Sequence, residues 1–176
     1  PPSPSPPPPP PPSPPPPPPD FAAVVAGVSA SLSGGDGTQA SPLQSTSSSF
    51  TVTVDFTRLT TSGVFVPAPI TGLTADSLVV ASSVGTTFLS RGTHFVVLLS
   101  VSSSQAVTSA NFLIQAAGSW PCGTFAEMGF LLSLQGALAV DGQLTLKANT
   151  PLYVSWSPGA AFLPSCLPPP QLPPAP

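Results

Sequence analysis

Charged side chains are scarce in this sequence. Of 176 residues, three are Lys or Arg and six are Asp or Glu, whereas a soluble domain commonly carries roughly 25% charged residues. So few cations exclude a basic patch that could neutralise nucleic-acid phosphates, and we expect no nucleic-acid partner. The 26 serines and 16 threonines supply surface polarity instead, and their hydroxyls are also atoms to which O-linked sugar can attach.

Long apolar runs are missing as well, although the mean hydropathy is +0.35. A helix needs about 20 consecutive apolar residues to cross a bilayer, and no run approaches that length, so we expect no membrane span. The first residues also lack a charged segment followed by an apolar stretch. Any secretion signal is therefore expected to have been removed or to lie outside this sequence.

The sequence has little of what an active site or a metal site requires. Its one histidine, His94, stands beside a turn, and no Gly-x-Ser-x-Gly elbow presents a serine nucleophile. No Asp-x-Asp spacing gathers oxygens for calcium, and no glycine-rich phosphate loop occurs. The six carboxylates are scattered one to a turn or strand: Asp20, Asp36, Asp55, Asp76, Glu127 and Asp141. We therefore expect no enzyme activity, no cofactor and no metal.

The two cysteines, Cys122 and Cys166, allow one intramolecular pairing. A disulfide between them would constrain the unfolded chain by roughly 3 to 4 kcal/mol on the loop-entropy model. The alternative is two buried free thiols. We predict the disulfide, and with it an oxidising, extracellular compartment.

Composition divides the chain into three regions. Residues 1–19 contain only proline and serine, and proline lacks the amide donor and fixes φ, so polyproline II is the regular state open to them. At about 3.1 Å per residue, this rod would extend roughly 59 Å. Residues 20–166 have the size and composition of one folded head domain, and residues 167–176 return to a proline-rich linker.

The head domain has a two-residue hydrophobic period. Residues 50–57 alternate without a fault, with Phe50, Val52, Val54 and Phe56 on one face of a predicted strand. Other β-rich runs are separated by turn signals such as Asp-Gly and Pro-Gly, and at most one helical turn is allowed, at residues 124–128. These runs are 23–32, 64–66, 77–81, 94–101, 111–115, 125–134, 143–147 and 152–156. We predict an all-β fold, an immunoglobulin-like β-sandwich of eight or nine short strands.

Part of the head resembles a known repeat. The stretch Phe50-Thr-Val-Thr-Val-Asp-Phe56, the following residues 70–80, and Thr93-His-Phe-Val-Val-Leu-Leu99 are similar to the bacterial-type immunoglobulin-like repeats of large surface adhesins. The likeness implies the same sandwich fold. It does not extend beyond Cys122, so the last strands and the disulfide are not covered by it.

The proline-serine blocks resemble the hydroxyproline-rich glycoproteins of green algal cell walls and flagellar surface filaments. That resemblance implies a localisation at the cell wall or cell surface and covalent O-linked glycans on hydroxyproline or serine. The N-linked signal is absent, because Asn111 precedes Phe-Leu and Asn149 precedes Thr-Pro. The implied modified positions are Ser3, Ser5, Ser13, Pro6, Pro7, Pro8, Pro9, Pro10, Pro11, Pro12, Pro14, Pro15, Pro16, Pro17, Pro18 and Pro19.

Two segments, 95–99 and 130–134, are apolar on both strand faces, whereas the outer face of a free sandwich is usually polar. A loop could cover them, or a proline rod or a neighbouring molecule could. Proline rods dock on aromatic grooves, and Tyr153 and Trp120 are the docking candidates, because Trp156 shares the core face of its strand.

We therefore predict a structural subunit that assembles with copies of itself, through rod and head, into an extracellular fibril or wall filament. Strand donation between subunits is a variant of this assembly. The alternative is a stalked, adhesin-like module that binds carbohydrate or another surface, and the third class is a hydrolase that uses His94.

Overall fold

The computed structural model describes Ser3, Ser13 and residues 24–60, 62–123, 125–133, 138–139 and 150–163. This part of the chain is all-β apart from one 3₁₀ turn, Ala75–Ser77. Among the described residues, no helix is long and apolar enough to cross a membrane. The strands are β1 (Val24–Ala30), β2 (Leu43–Ser45), β3 (Ser49–Leu59), β4 (Phe65–Pro67), β5 (Ile70–Thr71), β6 (Leu78–Val84), β7 (Thr87–Phe88), β8 (Phe95–Leu99), β9 (Ser109–Ala116), β10 (Ala126–Leu132), β11 (Leu138–Ala139) and β12 (Leu152–Trp156).

The alternation in β3 decides which of its side chains enter the core. Successive side chains of a strand point to opposite faces. Phe50, Val52, Val54 and Phe56 are at most 6% exposed, whereas the hydroxyl and carboxyl side chains between them face outward. The strand predicted at 50–57 is confirmed, and β3 extends it at both ends.

Most strands belong to two sheets. The first sheet has the order β1-β3-β9-β8, with β4 also paired to β3, and its pairings are antiparallel. The second sheet has the order β2-β12-β10-β6-β7. Its pairings are antiparallel except that β2 runs parallel to β12. β5 pairs with β11 outside both sheets.

The two sheets share a hydrophobic core with an aromatic centre. Phe50 of the first sheet packs edge to face on Phe130 and Trp156 of the second, with ring centroids 5.7 and 5.1 Å apart. Trp120 packs in the same way on Trp156 at 5.0 Å. Contacts of this geometry add about 0.5–1.5 kcal/mol each beyond the area they bury, so they hold the sheets face to face.

The helical turn allowed at residues 124–128 is wrong. β10 begins at Ala126, and Ala126 and Met128 face the core while Glu127 faces outward, which is the two-residue period of a strand. Pairing with both β12 and β6 satisfies the backbone of this segment. The 3₁₀ turn lies instead at Ala75–Ser77, where the Ser77 hydroxyl accepts a hydrogen bond from the Thr74 amide.

Other predictions fall outside what the structure describes. Of the predicted rod, Ser3 and Ser13 alone are described, and both are exposed. The candidate glycosylation prolines, Ser5, Cys166, the linker at 167–176 and the strand predicted at 143–147 lie outside the described residues.

Candidate functional site: a groove on the outer face of the second sheet

A groove of about 470 Å³ lies on the outer face of the second sheet, on the side away from the core. Its floor is made by β6, β10 and β12 and its far side by β7. Because neighbouring strands are in register, their outward side chains form rows across the sheet. We call this surface the outer groove, and its rows change from polar to apolar along the strands.

The polar row runs from β2 to β7 through Gln44, Ser155, Glu127, Ser83 and Phe88. Phe88 closes the row with a ring that is 82% exposed. Glu127 carries the one charge among the described residues that line the groove. Its side chain makes no hydrogen bond or ion pair within the described part of the chain, so the carboxylate is available to a ligand.

The middle row is Tyr153, Gly129 and Ala81, and it crosses the floor of the groove. A Cβ added to Gly129 would lie 3.2 Å from Tyr153 Cε1 and 3.6 Å from Tyr153 Cδ1. The tyrosine ring therefore leans over the glycine on the neighbouring strand. Glycine inside a strand marks a close approach of this kind, and here it lets the Tyr153 ring lie against the floor of the groove.

The apolar row pairs Leu131 of β10 with Val79 of β6. Leu131 is 37% exposed and Val79 is 45% exposed, although both belong to long strands in the middle of the sheet. An apolar strip at this position is unusual for a face turned to water. It makes this side of the outer groove a surface from which a ligand could exclude water.

A loop before β2 forms one rim of the groove and is held to β12 beside Tyr153. The Gly37 carbonyl accepts the Tyr153 amide hydrogen bond at 2.8 Å, and Gly37 has a positive φ of 79°. Asp36 Oδ1 accepts from the Thr38 amide at 3.0 Å and from the Thr38 hydroxyl at 2.7 Å. These hydrogen bonds lower the pKa of Asp36. The rim is thereby fixed by backbone and side-chain contacts.

The hydroxyl groups of Tyr153, Ser83 and Ser155 make no hydrogen bond to any residue that the structure describes. Each hydroxyl can donate to a carbonyl oxygen. The outer groove thus combines donors, one carboxylate acceptor, a tyrosine ring and an apolar strip. That combination suits an extended ligand with apolar rings and unpaired carbonyls.

The two docking candidates lie in different places. Tyr153 lines the outer groove. Trp120 is 2% exposed, and its ring packs between Trp156 and His94, with a centroid distance of 6.5 Å to the histidine. A buried ring gives a rod no surface, so within this subunit the docking hypothesis depends on Tyr153.

The described contacts of His94 are structural. Its Nδ1 accepts the Ser90 amide hydrogen bond at 2.9 Å, and its ring meets Trp120 edge to face. Asp76 forms an ion pair with Arg91. In the described ranges no three His, Cys, Asp or Glu side chains come together as a metal-binding group.

Cys122 is disulfide-bonded and exposed. Its predicted partner, Cys166, lies outside the described residues, so the pairing stays a prediction.

Comparison with known proteins gives no relative for this chain. It matches no family model, no curated protein and no solved structure at a significant level. The interpretation of the outer groove therefore depends on its own geometry.

Sequence reasoning missed Phe88, Gly129 and Val79, whereas Leu131 lies in the segment 130–134 that was predicted to be apolar on both strand faces. β7 is two residues long, which is too short for a two-residue hydrophobic period to be recognised in the sequence. A signal for Gly129 was present, because a glycine within an otherwise apolar strand marks either a bulge or a close approach.

Proposed function

We propose that this chain is a structural subunit of an extracellular fibril or surface filament. In this proposal the head is an immunoglobulin-like β-sandwich, and residues 1–19 form a polyproline II rod. The rod of one subunit lies in the outer groove of the next subunit. The observation that carries the proposal is the groove formed by Tyr153, Gly129 and Ala81 in the middle of an outer sheet face.

The dimensions of a polyproline II helix suit such a groove. Its repeat of three residues rises about 9.3 Å, and two strand spacings cover about 9.4–9.8 Å. Prolines three residues apart on a rod that crosses the strands would therefore contact equivalent points on alternate strands. Recognition of polyproline by grooves with aromatic walls is a recurring mode, and Tyr153 and Phe88 supply such walls.

The hydrogen-bonding chemistry also suits a proline rod. A polyproline II segment has no internal hydrogen bonds and leaves its carbonyls free. The hydroxyls of Tyr153, Ser83 and Ser155 supply donors for them along the groove. Glycans on rod residues that face away from the groove, and on exposed hydroxyls, would give the assembled filament the solvation that nine charged residues cannot.

The proposal is tested with the full-length chain by sedimentation and light scattering. Replacing Tyr153 with Ala should weaken self-association at least tenfold, since an aromatic anchor inside a groove carries a large share of docking energy. Thr51→Ala, on the outer face of the first sheet, is the matched control and should change association less than twofold. Equal behaviour of the two variants would refute rod docking at this groove.

A second test removes the rod. Deleting residues 1–19 should leave a head with an unchanged circular dichroism spectrum that no longer polymerises. Filaments of normal length from this truncated chain would refute the proposal.

A carbohydrate-binding module is the second candidate function. It is favoured by the polar row beside Tyr153, because an aromatic ring flanked by carboxylate, amide and hydroxyl groups can hold a sugar ring. It predicts a monomeric chain that binds soluble oligosaccharides, with binding lost in Tyr153→Ala. Concentration-dependent self-association without sugar favours the filament.

A further inference from the structure

The Glu127 carboxylate accepts hydrogen bonds, and so do the carbonyl oxygens of the rod that we propose to lie in the outer groove. The carboxylate therefore limits the positions that the rod can take along the groove. The inference rests on the proposed function. Proline has no backbone N–H, so residues 1–19 present carbonyl oxygens along almost their whole length. A carboxylate covered by such a segment would lose water and gain no donor, which is costly.

The donors along the rod's side chains are its serine hydroxyls, at Ser3, Ser5 and Ser13. A hydroxyl that donates to an ionised carboxylate makes a charge-assisted hydrogen bond, roughly twice as strong as a neutral one. One of these serines should therefore lie against Glu127 when the rod is docked.

The width of the outer groove selects among the three serines. Measured from β10, which carries Glu127, β2 lies two strands away on one side and β7 two strands away on the other. Two strand spacings are about 9.6 Å, or about three residues of polyproline II. The rod therefore needs at least three prolines on each side of the central serine to fill the groove.

Ser13 meets this requirement, and the other two serines do not. Seven prolines precede it and six follow it without interruption. Ser3 and Ser5 are separated by Pro4 alone, so neither is flanked by three prolines on both sides. With Ser13 over Glu127, a proline three positions away reaches Phe88, and prolines on the other side lie over Ser155, next to Tyr153 on the same strand.

We propose that the outer groove recognises one register of the rod of a second copy of this chain, in which Ser13 carries no glycan and its hydroxyl donates to the Glu127 carboxylate. Ser13 thereby acts as a registration mark within a rod that is otherwise uniform. Each neighbour in a filament would be set at the same axial position relative to the next.

A double-mutant cycle on the full-length chain, produced without proline hydroxylation or glycosylation, tests this register by self-association. Ser13→Ala should weaken association about fivefold to tenfold, because the Glu127 carboxylate then faces a rod without a donor. In the Glu127→Gln background the same Ser13→Ala change should cost less than twofold, since the glutamine amide can donate to a rod carbonyl. Ser5→Ala is the matched control and should change association less than twofold in both backgrounds.

The outcomes separate the register from the proposed function. Equal effects of Ser13→Ala in both backgrounds, together with loss of association in Tyr153→Ala, would overturn the register and leave rod docking intact. A chain that stays monomeric at all concentrations would overturn docking between copies and the register with it. A coupling of Glu127 to Ser5 in place of Ser13 would also overturn the register.

Discussion

The two outer faces of this molecule are built from the same two-residue alternation, yet they present different surfaces. On the first sheet, β3 turns Thr51, Thr53, Asp55 and Thr57 outward, and the Thr53 hydroxyl donates to Asn111 Oδ1 on β9 at 2.9 Å. On the second sheet, the outer groove is lined by an aromatic wall, two small residues and an apolar strip. The Thr53 hydroxyl therefore has an acceptor on the neighbouring strand, whereas the hydroxyls of Tyr153, Ser83 and Ser155 in the groove have no hydrogen-bond partner among the described residues.

Two glycines, one on each outer face, differ in what lies next to them. Gly27 in β1 and Gly129 in β10 both lie within strands, each on the outward side of its own sheet. A Cβ on Gly27 would meet nothing closer than the Asp55 carbonyl oxygen at 3.8 Å, whereas a Cβ on Gly129 would crowd the Tyr153 ring at 3.2 Å. The Cβ position of the first glycine is open, whereas that of the second lies against an aromatic ring.

The largest effect is expected from a side chain at position 129 that displaces this ring. Gly129→Leu should displace the Tyr153 ring and occupy the groove floor, so self-association should fall by about 30-fold or more, since an added side chain in a packed site forces its neighbours to move. Gly27→Leu is the matched change on the other face and should alter association less than twofold. Thermal melts of both variants separate lost docking from lost folding. If Gly27→Leu weakened self-association as much as Gly129→Leu, docking would not be specific to the outer face of the second sheet.

A smaller effect is expected at the groove's exposed edge. Phe88→Ala should weaken association about threefold to tenfold with little change in melting temperature, because a ring that is 82% exposed adds little to the folded head alone. Leu98→Ala provides the comparison on the first sheet, where that side chain is 50% exposed. Its association should change less than twofold. If Leu98→Ala weakened association as much as Phe88→Ala, the interface would not be specific to the second sheet.

The smallest effect concerns the rim loop of the outer groove. The folded-state pKa of Asp36 is lowered from its ordinary value of 3.8 by hydrogen bonds from Thr38. The carboxylate's contribution to stability is therefore fully present above pH 3.8 and is lost as the pH falls through the lowered folded-state pKa. Urea unfolding of the wild type should lose stability over this acidic range more steeply than Asp36→Asn. Thr38→Ala removes one of the two donors and should give an intermediate slope, while identical slopes would contradict the assignment.

Much of the fold could be predicted from the sequence, because long amphipathic strands display their periodicity. The strand predicted at 152–156 coincides with β12, and the alternation of β3 identified its core residues. The strands that were missed, β2, β5, β7 and β11, have two or three residues, and they are ordered by pairing with neighbours distant in sequence. Their own residues contain too few alternations to reveal them.

The candidate site was only partly predictable, for a related reason. Tyr153 could be placed on the outer face from its position between Leu152 and Val154. Its neighbour in the groove floor, Gly129, is brought beside it by the register of the β10–β12 pair. A register is a property of the paired sheet and of the packed core, so single-strand patterns do not contain it.

The position of the aromatic residues also gives the molecule separate optical reporters. Both tryptophans lie together in the core, with ring centroids 5.0 Å apart, whereas the chain's one tyrosine lines the outer groove. Tryptophan fluorescence therefore follows the integrity of the core, and tyrosine ultraviolet absorption follows the occupancy of the groove. A single unlabelled sample could thus distinguish subunits that dock from subunits that unfold.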